Sequence, residues 1–353
     1  MLDYVLKSLL ILSSISVHSF QGIFTSLSRG SNSGYEFSIF MSSLMTEFFK
    51  MTVSFVLFHV QLFRGTTKRY SYSLRDIFLW SVPALLYMIA NNLYFVVISI
   101  SDSPITQQVF GSLEIVVVGL ANVFVLKKQL SPVQWASLLL LTSSVASIQI
   151  AKSGTQQLSI PFLPAFLTIL SSSLAGLAGV VIEKLMKGVK SVSIFQQNLW
   201  LNFWGALLNF VCLLFENGAR FPQFMSLQAF NPYALLTVAN TVLMGLITVG
   251  ILKYLSSVVK SFTSSASLVM TSILSSLLLG VELNAAFYLA VINLSISMYL
   301  YKTYPPPPPK KEAIIQETSP VADAIELSEL SETEEPSNPK ELEAHKEDVL
   351  YVK

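Results

Sequence analysis

Charged side chains are scarce in this chain, making up 12% of its 353 residues. A soluble domain carries about 25% charged residues, so the shortage excludes an ordinary water-soluble fold for most of the chain. Hydrophobic residues make up 52% of the sequence. This balance indicates that lipid is the main solvent.

Cysteine and histidine are also rare. The single cysteine, Cys212, excludes an intramolecular disulfide. Of the three histidines, His59 and His345 lie outside any predicted cavity, which argues against a typical metal site. The sequence also lacks the G-x-x-x-x-G-K-[ST], H-E-x-x-H and G-x-S-x-G motifs. We therefore predict no metal, no other cofactor and no enzymatic activity.

The apolar residues fall into ten windows, each long enough to cross the ~30 Å hydrocarbon core of a bilayer as a helix. The first window is too long for a cleavable signal, and no small-residue cleavage site follows it. We predict an all-α membrane domain over residues 1–303. Its spans lie near 5–27, 37–60, 76–99, 104–125, 134–151, 161–182, 194–215, 233–252, 257–280 and 284–302.

Basic residues between the spans predict an orientation. Thirteen bases fall on one side of the membrane and three on the other, while Lys50 lies within a span. Because positively charged loops remain in the cytoplasm, both termini are predicted to be cytosolic. Ten spans with both ends on one side are compatible with two inverted five-helix halves, which would place a substrate site near mid-membrane.

The last segment, residues 304–353, has a different composition. It opens with the five prolines Pro305 to Pro309 and then holds twelve acidic and five basic residues. This pattern predicts a polyproline spacer followed by a disordered cytosolic tail. We favour a solubilising tail, with a trafficking or partner-binding arm as the alternative.

Four spans carry polar side chains at helical spacing, which is costly in lipid unless they face a partner or a water-filled cavity. The amides of spans three, four and seven favour a cavity, whereas the hydroxyls of span nine fit helix packing equally well. The stripes are Tyr87, Asn91, Asn92 and Tyr94; Gln107, Gln108, Gly111, Ser112 and Glu114; Asn198, Asn202, Gly205 and Asn209; and Lys260, Ser264, Ser267 and Thr271.

Two further patterns predict structural roles. Glu47 and Lys50 lie three residues apart in span two and can neutralise each other on one helix surface. A structural pair is our first interpretation, and a role in coupling is the second. Small residues at helical spacing in span six predict close helix packing. They are Ser172, Ala175, Gly176 and Gly179.

Six segments then stand out by their order and spacing. They are TEFFK, VPALLYMIANNLYFVVISISDSPITQQVF, LKKQLSPVQWASLLLL, GLAGVVIEKLMK, QQNLWLNFWG and ILKYLSSVVKSF. Together they make residues 1–302 resemble the nucleotide-sugar transporters of the drug/metabolite transporter superfamily, in the branch of CMP-sialic acid and UDP-galactose carriers. The resemblance implies alternating access in the Golgi membrane, with the endoplasmic reticulum as the alternative location. It also implies exchange of a cytosolic nucleotide sugar for a lumenal nucleoside monophosphate.

The resemblance also assigns roles to residues. It implies that Tyr87 and Asn91 contact the nucleotide, that Asn198 is the family's asparagine in span seven, and that Lys260 meets a phosphate or sugar acid. Glu183 matches a glutamate that we interpret as structural or gating, like Glu47 and Lys50. The matched pair Lys253 and Tyr254 and the neighbouring polar residues Asn92, Gln107, Gln108 and Ser264 complete the predicted substrate-binding set.

Three positions depart from the family pattern. Ala90 replaces a glutamine, Gln107 replaces a tyrosine, and Glu114 replaces the lysine of an L-K-I motif. We hypothesise that Glu114 pairs with Lys260 and lowers the positive charge of the site. This would suit a less anionic ligand or a chain that no longer transports efficiently.

Three functions therefore stay open. The first is a nucleotide-sugar exchanger. The second is a non-transporting family member that scaffolds or regulates related carriers, as a homo- or hetero-oligomer. The third is a carrier of a different small metabolite. The expected partners are a nucleotide sugar or nucleoside monophosphate and the lipid bilayer, with no nucleic acid.

Overall fold

The computed structural model describes residues 2–28, 39–100, 109–152, 162–188, 192–217, 230–280 and 283–306. Residues Met1–Pro306 form one compact unit. Within the described ranges the chain is helical apart from short turns, and no strand occurs there. The predicted tail beyond residue 306 lies outside these ranges.

Eleven helices follow one another along the described residues. In the described part of the chain they are α1 (Leu2–Leu27), α2 (Ile39–Phe63), α3 (Leu74–Leu79), α4 (Ser81–Ile100), α5 (Glu114–Leu126), α6 (Pro132–Lys152), α7 (Phe162–Gly188), α8 (Ile194–Asn217), α9 (Pro232–Tyr254), α10 (Ser257–Leu279) and α11 (Ala285–Thr303).

Eight helical stretches of the described part are long and apolar enough to cross a membrane, and they match predicted spans two to eight and ten. The prediction of an all-α membrane protein is therefore confirmed. The two remaining predicted spans correspond to α1 and α10, helices of 26 and 23 residues. These two helices are not among the eight stretches, so the count of ten spans stays a prediction.

Local sequence explains where the helices that carry the site begin. The Ser256 hydroxyl accepts a hydrogen bond from the Val259 amide and caps α10 just before Lys260. Ahead of α5 the chain makes tight turns, because the amides of Ser112, Leu113 and Ile115 bond to carbonyls three residues earlier. Glu114 therefore begins α5 immediately after a break within predicted span four.

The long helices pack in a pattern of corresponding pairs. Counting long helices only, α1, α2, α4, α5 and α6 correspond to α7, α8, α9, α10 and α11. The pairs α2–α8 and α6–α11 each contain a helix and its counterpart. The pair α4–α7 corresponds to α1–α9, α5–α7 to α1–α10, and α4–α8 to α2–α9. In these contacts, replacing both helices by their counterparts gives another observed contact. Such symmetry is expected of two similar five-helix units, although the sequence shows no clear repeat.

Two buried apolar clusters hold these units together. One contains Ile115 of α5, Leu138 of α6, Val180 of α7 and Phe262 of α10. The other contains Trp80, Ile182 of α7, Leu201 of α8 and Leu252 of α9. Helix α7 contributes to both clusters, so it lies at the centre of the packing around the candidate site.

Candidate functional site

A lysine and a carboxylate face each other across the two five-helix units. Lys260 Nζ, in the first turn of α10, donates to Glu114 Oε1 at 2.9 Å. The hypothesised pairing is therefore present. The two side chains are 17% and 30% exposed, so the pair borders accessible space and is not sealed in the core.

A small residue on α7 makes room for Glu114. A Cβ atom at position 176 would lie 3.2 Å from the Glu114 carbonyl oxygen and 3.3 Å from its Cγ. Gly176 therefore allows α5 to approach α7 closely, as the stripe of small residues predicts. Three residues further along α7, a Cβ at Gly179 would lie 3.5 Å from the Tyr87 hydroxyl oxygen.

Side chains from two more helices surround the pair. Tyr87 of α4 interacts electrostatically with both Lys260 and Glu114. His18 of α1 interacts with Lys260 in the same way, and its Nδ1 lies 2.8 Å from the Ser14 carbonyl oxygen. Helices α1, α4, α5 and α10 therefore bring polar groups to one place. Sequence alone gave no sign of this interaction, because His18 and Lys260 lie on different helices far apart in the chain.

The other predicted residues of spans three and four have different surroundings. Asn91 is exposed. The Asn92 amide turns back to its own helix, where Nδ2 donates to the Met88 carbonyl at 2.9 Å. Gln107 and Gln108 lie outside the described residues.

Helix α8 carries buried amide groups whose atoms are not all paired within the described part of the chain. Asn198 Nδ2 donates to Ser54 Oγ at 2.8 Å, but Asn198 Oδ1 has no partner among the described residues. Both polar side-chain atoms of Asn202 are buried and equally unpaired there. An unsatisfied buried polar atom costs about 1–3 kcal/mol, so these atoms are suited to binding a water molecule or a ligand.

The predicted pair of α2 is present. Lys50 Nζ lies 2.5 Å from Glu47 Oε1. Two glycines leave space for it, since a Cβ at Gly205 of α8 would lie 2.8 Å from Glu47 Oε2. A Cβ at Gly245 of α9 would lie 2.7 Å from Lys50 Cδ. The pair therefore sits where α2, α8 and α9 meet.

Glu183 is a structural centre at the end of α7. Its fully buried carboxylate accepts hydrogen bonds from Lys128 Nζ at 2.6 Å, Lys187 Nζ at 2.8 Å and the Ser257 amide at 2.6 Å. Lys187 Nζ also donates to the Leu255 carbonyl. Glu183 thus joins the end of α5 and the start of α10 to α7. The spacing of Glu183 and Lys187 predicts their contact, whereas Lys128 could not be assigned from spacing.

The three remaining predicted residues lie near the α9–α10 turn. Lys253 Nζ donates to the Val192 carbonyl and to Gln197 Oε1 at 2.6 Å, so it fastens the connection between α7 and α8. Tyr254 is exposed. Ser264 is half-buried, and its carbonyl accepts a hydrogen bond from Ser267 Oγ. A ligand role for these residues stays a prediction.

Comparison with known proteins places this helical arrangement in a family. The family model described as nucleotide-sugar transporter matches residues 3–302. The chain belongs to this family. Relatives of the nucleotide-sugar transporter chain include the CMP-sialic acid transporter 2 of Oryza sativa subsp. indica, 30% identical over 314 residues that cover 87% of each protein. The UDP-galactose translocator of Mus musculus is 33% identical over 225 residues, which cover 63% of this chain and 57% of the mouse protein.

A solved crystal structure has the same fold as this family member. The two chains superpose with a TM-score of 0.62 at 13% sequence identity, over 84% of this chain and 96% of the other. The similarity concerns the fold alone.

Replacing Glu183 by glutamine should lower the thermal unfolding midpoint of the purified protein by on the order of 5 °C. The substitution keeps the shape but leaves Lys128 and Lys187 without a carboxylate. Breaking a buried pair costs about 3–5 kcal/mol. The cost is lower here because the side chains of Lys128 and Lys187 are 43% and 35% exposed and stay partly hydrated. Lys128→Gln should cause a smaller decrease. An unchanged midpoint in Glu183→Gln would contradict the structural role.

Gly205→Ala should also destabilise the protein, because its Cβ would enter the space of Glu47 Oε2. Fluorescence-monitored unfolding would measure the decrease. Gly188→Ala is the matched control, since no atom of the described residues lies within 4 Å of a Cβ there. Glu47→Asp, which shortens the carboxylate, should recover part of the loss in the double variant. Purely additive effects would show that the two positions do not share this space.

Proposed function

We propose that this nucleotide-sugar transporter family member exchanges a cytosolic nucleotide sugar for a lumenal nucleoside monophosphate across the Golgi membrane. The endoplasmic reticulum membrane is the alternative location. Family membership and relatives named as CMP-sialic acid transporter and UDP-galactose translocator support the substrate class. The observation that carries the proposal is the meeting of Lys260 with Tyr87 and Glu114 at the junction of the two five-helix units.

The proposed topology has ten spans in two inverted halves, with both termini in the cytosol. An odd number of crossings per half makes the second half start on the opposite side of the membrane. The corresponding helix pairs support two such halves, and the loop charges support the orientation. Alternating access then corresponds to one half rocking against the other around a site between them.

Within that site, we assign the anionic part of the substrate to Lys260 and the nucleotide to Tyr87, Asn91 and Asn198. Asn198 Oδ1 supports this assignment, because it is a buried acceptor that has no partner among the described residues. The remaining substrate contacts belong to the predicted residues Asn92, Gln107, Gln108, Lys253, Tyr254 and Ser264.

Glu114 changes how this site would work. Its carboxylate already neutralises Lys260, so an anionic substrate must displace it. Removing the carboxylate should therefore strengthen the binding of anionic ligands. Transport of an anion requires the pair to open during each cycle.

Nucleotide-dependent thermal stabilisation would test this competition. We expect weak stabilisation of the wild type by nucleoside monophosphates, and a half-saturating concentration at least tenfold lower in Glu114→Gln and Glu114→Lys. A tenfold change corresponds to about 1.4 kcal/mol, which is a modest share of the interaction energy of one charge pair. Lys260→Gln is the control and should abolish stabilisation. Tight binding of nucleotide sugars by the wild type would refute the role of Glu114.

The same ion pair favours a second function, in which the chain scaffolds or regulates related carriers in a homo- or hetero-oligomer without transporting. If Glu114 remains paired with Lys260 permanently, the lysine is not available to bind an anionic substrate. A third function, transport of a different small metabolite, fits a site of low net charge.

Exchange assays in proteoliposomes separate these functions. The reconstituted protein should exchange at least one of a panel of nucleoside monophosphates and nucleotide sugars above the background of protein-free vesicles. Because Lys260→Gln removes the proposed anion contact, it should abolish that exchange. If no member of the panel exchanges, the transport proposal fails and the scaffold or a different solute takes its place.

A further inference from the structure

A cavity of about 320 Å³ opens on the outer surface between α2 and α8. None of its lining residues is among those predicted to bind the substrate. Apolar side chains form most of the wall, including Phe55 and Phe58 of α2 and Leu199, Trp200 and Phe203 of α8. Phe55 and Phe203 are exposed, so the cavity faces the surroundings of the helices and not the Glu114–Lys260 pair.

One end of this cavity is cationic and polar. Arg69, from the connection that follows α2, lines it together with His59 and Gln196. The guanidinium of Arg69 has no acidic partner within the described ranges. His59 Nδ1 lies 2.9 Å from the Phe55 carbonyl oxygen. Arg64 and Lys68 are near Arg69 in the sequence but do not line the cavity.

The connection that carries Arg69 is fastened to α8. Gln196 accepts a hydrogen bond from the Tyr70 amide at 3.1 Å, and its Nε2 donates to the Tyr70 carbonyl at 2.6 Å. The ring of Tyr72 packs edge-on against Trp200, with centroids 6.2 Å apart. The backbone next to Arg69 is therefore fixed to α8, and the exposed side chain of Arg69 lines the cavity.

We propose that this cavity binds an anionic glycerophospholipid, with an acyl chain against the aromatic wall and the phosphate at Arg69. The apolar slot and the cationic end are continuous, which matches an amphipathic anion. A free nucleotide or phosphate would leave the apolar wall unfilled. Basic pockets between membrane helices on the cytoplasmic side are suited to such headgroups, and the loop charges put Arg69 on that side. The site is independent of the transported substrate.

Native mass spectrometry of the delipidated full-length protein would test the proposal. Phosphatidylinositol 4-phosphate and phosphatidylcholine with the same acyl chains are titrated separately, together with inositol bisphosphate as a headgroup without chains. We expect one molecule of phosphatidylinositol 4-phosphate to bind in preference to phosphatidylcholine. The chain-free headgroup should bind at least tenfold more weakly than phosphatidylinositol 4-phosphate. Binding of the chain-free headgroup as tight as that of the lipid would show an anion site and overturn the lipid assignment.

Two variants probe the two ends of the cavity. Arg69→Gln should weaken binding of the anionic lipid about fivefold, since a basic residue at the surface contributes about 1 kcal/mol. Leu199→Trp should weaken all lipid binding by filling the slot, and its unfolding midpoint reports whether it folds. Arg64→Gln removes the same charge from a residue that does not line the cavity. Equal losses in Arg64→Gln and Arg69→Gln would show a diffuse surface charge effect and overturn the site.

Discussion

The structure depends on the neutralisation of charge inside apolar helices. An unpaired ionised side chain is expensive within a bilayer, so it faces a partner or water. Glu47, Glu114 and Glu183 each lie within a membrane-length stretch and each accept a hydrogen bond from a lysine. Glu47 and Lys50 lie on one helix, whereas Glu114–Lys260 joins α5 to α10 and Glu183–Lys128 joins α7 to the segment after α5. Charge pairing therefore fastens only some of the helices to one another, and apolar packing joins the others.

Close approach at these pairs requires the absence of side chains opposite them. Gly205 and Gly245 face the Glu47–Lys50 pair, and Gly176 faces Glu114. In lipid, association between helices gains little from the hydrophobic effect. Small residues that allow dense packing therefore contribute a larger share of the association free energy. The glycines thus supply the space that the paired side chains occupy between helices.

Sequence could predict the features that depend on a single helix. Length and hydropathy identified the membrane helices, and the spacing of Glu47 and Lys50 identified their contact. Glu114 and Lys260 were also a reasonable pair, because they are opposite charges in spans that share a predicted site. The engagement of Lys253 with Val192 and Gln197 could not be predicted, since it depends on how a connection folds back. The Asn202 amide, which has no partner among the residues that the structure describes, and the cavity between α2 and α8 likewise arise only when helices meet.

In the proposed exchange, the Glu114–Lys260 pair would link substrate binding to the relative position of the two units. One partner begins α5 and the other lies in the first turn of α10, so the pair fastens one unit to the other. A phosphate that bridges to Lys260 takes over the positive charge and leaves Glu114 without a partner. The carboxylate must then be hydrated or protonated, and either outcome favours a conformation that admits water around α5. A ligand without this competing charge would leave the fastening intact. The anionic group of a substrate would therefore be what releases one unit from the other.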